Sequence, residues 1–144
     1  MRRLLFVTFI LAIILALPNL SSAACTETWT GAAGDGLWQT AGNWSPAGVP
    51  GPTDDACIGV AFSVTLSAGA QSINSLTSDG TLTISGGSLD IATASTANTL
   101  NLSSTISGAG ALIVSGVFNW TAGTMSGTGT TTIPATTTLN ISGF

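Results

Sequence analysis

The sequence predicts an all-β protein, read as a right-handed parallel β-helix or related β-solenoid with a Trp-rich N-terminal cap, preceded by a signal-peptide helix. Three observations predict it. From Ser63 onward apolar residues come in pairs one residue apart: Val64 and Leu66, Leu82 and Ile84, Leu89 and Ile91, Leu100 and Leu102, Leu112 and Val114, Phe118 and Trp120, Leu139 and Ile141. A period of two places each pair on one face of a strand. No stretch after Pro18 carries a sustained helical apolar stripe. Finally, Thr81–Gly86, Ala111–Gly116 and Thr138–Gly143 are near copies of one strand and its turn, the mark of a solenoid whose coils bury apolar surface only by stacking. A β-sandwich or meander shows the same alternation and is the alternative.

The first element is a targeting segment. Arg2 and Arg3 precede the apolar run 4–17, then Pro18 and the small residues up to Ala24, which is the order of a secretory signal peptide. Residues 1–24 are therefore expected to be removed. The run is shorter than the roughly 20 residues that span a bilayer, so no transmembrane span is expected in the mature chain. Cys25, directly after Ala24, has two competing uses: lipid anchoring, or a disulfide with Cys57 of the kind an exported chain forms in an oxidising compartment. By chain entropy such a bridge contributes on the order of 3 kcal/mol.

The second element, residues 25–62, holds three of the four tryptophans, both cysteines and Pro46, Pro50 and Pro52. Closely spaced Gly and Pro make it a loop-rich cap with short strands. Trp29, Trp38 and Trp44 either fill this cap, each indole N–H finding a carbonyl, or present faces to sugar rings with Asn43 or Asp35 binding hydroxyls. Asp54 and Asp55 are adjacent carboxylates that would point to opposite faces of an extended chain, so a turn role after Pro52 fits better than a shared metal or catalytic site.

The third element, residues 63–144, is the repeat region. Asp79-Gly80 and Gly86-Gly87 are its strongest turns. Gly86 to Asp90 lacks the second copy and the glycine that a calcium-binding repeat needs, so no metal site is expected. Asn43, Asn101, Asn119 and Asn140 each begin a glycosylation triplet. The last three fall on predicted strands, where hydrogen bonding along a ladder explains them better.

Composition narrows function. The only basic residues are Arg2 and Arg3, there is no His or Tyr, and six acidic residues remain. A mature chain without an imidazole, amine or guanidinium lacks the usual general bases, nucleophiles and anion clamps, so neither catalytic residues nor a cofactor are expected. An exclusively acidic chain is repelled by nucleic acid.

The phrases Thr28-Trp29-Thr30-Gly31, Gly36-Leu37-Trp38, Ala41-Gly42-Asn43-Trp44 and Val49-Pro50-Gly51 with Asp54 resemble the start of bacterial exported β-solenoid surface proteins, the autotransporter-passenger and filamentous-haemagglutinin-like group. Gly108–Gly110 and Ser126–Gly129 are similar to repeats of the same group. The resemblance implies export, a β-helical stalk and a place at or beyond the bacterial cell surface, in contact with surface glycans or with a host or neighbouring cell. It carries no catalytic residue across. The expected function is thus a secreted or cell-surface structural or adhesive module. A carbohydrate-binding module using the cap tryptophans, or a non-catalytic fragment of a polysaccharide-active β-helix enzyme, are the alternatives. Ending directly after a repeat phrase is expected of a fragment, or of a last open coil that self-associates.

Overall fold

The computed structural model describes residues 24–143, so the expected signal peptide lies outside the described residues apart from Ala24. The described chain is a β-solenoid of about five turns. Each full turn contributes three strand segments, two to a nine-stranded sheet A and one to a four-stranded sheet B.

The cap zone opens with β1 (Glu27–Trp29), a 3₁₀ turn (Ala41–Asn43) and β2 (Trp44–Ser45), which pairs antiparallel with β1. It does not stand apart from the repeats. β3 (Asp55–Ile58) pairs parallel with β1 on one side and with the first half of β6 (Ser75–Ile84) on the other, so the first rung begins inside residues 25–62. Only the β3 segment of that rung falls within 25–62, since the rung continues through β4 (Ser63–Leu66) and β5 (Ala70–Ile73). Later rungs are β6 with β7 (Ser88–Ile91), β8 (Ser95–Leu102) with β9 (Thr105–Gly108), β10 (Leu112–Trp120) with β11 (Thr124–Met125), and β12 (Thr131–Thr132) with β13 (Thr138–Ile141). All pairings among β3 to β13 are parallel, which fits the solenoid and not the sandwich or meander alternative.

Against β8, β6 shifts register between Ser78 and Thr81 and β10 between Val114 and Val117, which divides sheet A into two halves. In the second half Val64, Leu82, Leu100, Phe118 and Leu139 are successive register partners, and Leu66, Ile84, Leu102, Trp120 and Ile141 form the next column. The alternating pairs seen in the sequence are these columns. In sheet B, Leu89 pairs with Ile106 and Ile73 with Ile91. Stacking removes both members of each pair from water through Leu102, at roughly 1.5–3 kcal/mol per large side chain, which offsets the ordering entropy of coils too small to fold singly.

Two details differ from the sequence expectation. The phrase Ala111–Gly116 is not equivalent to its near copies: Leu112 and Val114 pair with Ser95 and Ala97 in the first half of sheet A, whereas Leu82 and Leu139 share a column in the second half. An apolar-polar-apolar strand fits either half, because both present the same alternation to one core. The last pair is also not buried, with Leu139 41 % and Ile141 58 % exposed. A pair becomes dry only when rungs cover it on both sides, and among the described residues β13 pairs with β10 alone.

Glycines set how closely the turns stack. At Gly87, with φ +70°, an added Cβ would overlap the carbonyl oxygen of Gly69 one rung below. Only glycine permits both this backbone conformation and this approach.

Candidate functional site

The N-terminal end is closed by an interlocked aromatic cluster. Trp44 meets Trp29 and Trp38 edge-to-face, with ring centroids 5.0 and 4.8 Å apart, and the three indoles are at most 3 % exposed. The sugar-stacking expectation for Trp29, Trp38 and Trp44 is therefore corrected: their faces cover one another and the end of the apolar column, leaving none for a ring of ligand. Asn43 and Asp35 are likewise engaged with each other. Asn43 is fully buried, its amide donates to Asp35 Oδ1 at 2.6 Å and to the Leu37 carbonyl at 3.1 Å, and its side-chain oxygen accepts from the Ala33 N–H at 2.9 Å. Asp35 also accepts from the Thr40 hydroxyl at 2.6 Å and the Leu37 N–H at 2.9 Å. These bonds, led by that from Thr40, hold the Asp35 carboxyl below its ordinary range.

The indole N–H groups are not all satisfied as expected. Trp44 donates to the Trp38 carbonyl at 2.8 Å, but the buried Trp38 N–H has no acceptor. Cys25, two residues before β1, forms a disulfide with Cys57 of β3, with Cα atoms 5.7 Å apart. This pairing engages the Cys25 sulfur that lipid attachment would require.

Asp54 and Asp55 diverge. Asp54 accepts from the Gly51 N–H at 2.8 Å and closes a turn, while Asp55 accepts from Asn74 at 2.7 Å and Ser75 at 2.6 Å on the next rung. Glu27, on β1, has a buried carboxylate oxygen without a partner. Burial, and then the charge of Asp54, raise its pKa above the ordinary value.

The most regular surface is the outer face of the second half of sheet A. Between the two buried columns, Thr83, Asn101, Asn119 and Asn140 stand in register. Asn101 donates to the Thr83 hydroxyl at 3.1 Å, Asn119 to Asn101 at 2.7 Å and Asn140 to Asn119 at 2.7 Å. A parallel column of Thr81, Thr99, Val117 and Thr138 runs beside it. Neither column contains an ionisable or aromatic side chain. The asparagine ladder was legible in the glycosylation-like triplets; the adjacent threonine column was not, because its members are scattered among many other threonines.

A cleft of about 220 Å³ near the last turns is bordered by Ile91, Ile106, Leu112 and Met125 together with Gly108 and Gly127. It forms where glycine follows isoleucine in a core column, Gly108 being the register partner of Ile91. No ionisable side chain lines it.

Comparison with family models, with curated proteins and with solved structures finds no match for this chain.

Proposed function

We propose that this chain is an exported, surface-exposed structural or adhesive module without catalytic activity, related to the bacterial β-solenoid surface proteins that its cap phrases resemble. The observation that carries the reading is the uncharged Thr/Asn face, which repeats a neutral hydrogen-bonding pattern from rung to rung. Repetition lets many weak contacts add along an extended partner. The disulfide supports an oxidising destination, and no helix among the described residues is long and apolar enough to cross a membrane. The inaccessible cap indoles disfavour the carbohydrate-stacking alternative.

Expression of the full chain in a bacterial host, followed by fractionation and N-terminal sequencing, tests the proposal. Exported protein should begin at Cys25, carry the Cys25–Cys57 bridge, be removable from intact cells by added protease, and increase cell attachment to neutral surfaces. Reduced, unprocessed protein in the cytoplasm would overturn it, as would surface protein that leaves attachment unchanged.

A further inference from the structure

We propose that the outer face of the second half of sheet A binds the surface of ice. The inference rests on the reading of this chain as an adhesive module and names what its regular face would hold.

Three features of the face lead there. Its two columns form a lattice, with rungs about 4.8 Å apart and the same-face residues i and i+2 of each strand about 6.7 Å apart. The water-oxygen repeats in the surface planes of hexagonal ice lie in the same range. Register is unbroken across the rungs, Thr81 to Thr99 to Val117 to Thr138, so the two-column lattice continues along the solenoid axis. The asparagine ladder holds one column by side-chain bonds, a device that keeps a sheet flat, while β-branched Thr and Val have few rotamers to lose on contact.

Electrostatics selects the occupant. Glu27, Asp35, Asp54 and Asp55 lie in the cap zone, Asp79 at the bend of β6 and Asp90 on sheet B, so none stands in either column. A face without charge offers nothing to an ionic partner, and a face without an aromatic ring offers no platform for sugar stacking. What it does offer is hydroxyls and methyls. The side-chain hydroxyls of Thr81, Thr99 and Thr138 have no hydrogen-bond partner among the described residues, and so remain able to donate and accept outward. A neutral solid of water, with donors and acceptors at matching intervals, fits these groups; a flexible soluble ligand would lose the advantage of the lattice.

The test uses the exported, disulfide-closed protein labelled at its N-terminus and present while an ice hemisphere grows slowly. Wild type should be taken into the ice. Thr99→Lys should reduce the incorporated fraction about tenfold by breaking the multivalent contact, with Thr81→Lys as the second variant should the first fail to fold. Thr124→Lys, on sheet B, should be incorporated like wild type. Exclusion of wild type from ice would overturn the inference, as would incorporation of a folded Thr99→Lys protein at the wild-type level, or equal loss in Thr124→Lys. Retention on crystalline cellulose or chitin, abolished by Thr99→Lys while ice excludes the wild type, would also overturn it by assigning the face to glycan. If displayed protein still attaches cells to neutral surfaces but stays out of ice, only the ice assignment falls.

Discussion

The indole N–H of Trp44 donates to the backbone carbonyl of Trp38 at 2.8 Å, whereas the equally buried N–H of Trp38 has no acceptor. Two indoles in one cluster thus contribute differently to stability. Trp44→Phe loses a hydrogen bond and orphans a buried carbonyl, while Trp38→Phe removes an unsatisfied donor. We expect Trp44→Phe to be the more destabilising by about 1–2 kcal/mol in denaturant titrations. Trp38→Ala, which empties the cluster, should cost about 3–5 kcal/mol.

The asparagine ladder makes a charge-dependent prediction. Asn119 donates to Asn101 and accepts from Asn140, so Asn119→Ala should cost about 1–2 kcal/mol. Asn119→Asp should cost more at pH 7 than at pH 3. Its carboxylate can still accept from Asn140, but when ionised it has no proton for the Asn101 oxygen. Thermal melts at the two pH values check the sign.

The disulfide links residues separated by 32 positions. Cys57→Ser should lower stability by on the order of 3 kcal/mol, chiefly by enlarging the unfolded ensemble. Equilibrium unfolding of wild type and variant, both fully reduced, should bring the two together.

Two carboxyls should give opposite pH responses. The Asp35 pKa is lowered on folding, so its contribution is complete above its unfolded value of about 4 and is lost as pH falls through the lower folded value. The Glu27 pKa is raised, so folding is favoured below its unfolded value of about 4 and loses that advantage as pH rises through the higher folded value. Asp35→Asn should therefore lower Tm at pH 7, with the gap to wild type narrowing in acid. Glu27→Gln should raise Tm at pH 7, and this gain should also fade in acid. Melting curves between pH 3 and pH 7 distinguish the two signs.

Strand identity and the core columns were legible because period two is a local property. Leu82 and Ile84, or Leu100 and Leu102, face inward wherever their strand is placed. The pairing of Cys25 with Cys57 was legible because the chain has only these two cysteines. The partners of Asn43 were not, since Asp35, Leu37 and Ala33 reach it only after the cap loop has closed. The phrase Ala111–Gly116 misled for a related reason: its alternation matches the other copies, while its place in sheet A depends on the bend between Val114 and Val117.

Short-range chemistry in the sequence determined that the chain would form stacked β-rungs, with apolar pairs inward and Thr, Ser and Asn outward, because side-chain alternation and glycine turns operate within a few residues. Tertiary structure alone decided which rungs lie in register, that the tryptophan faces are turned on one another, and that Asn101, Asn119 and Asn140 join into a ladder. The ladder joins residues 18 and 21 positions apart, a distance set by the length and bend of each whole turn, and the tryptophans meet only once the cap loop has closed.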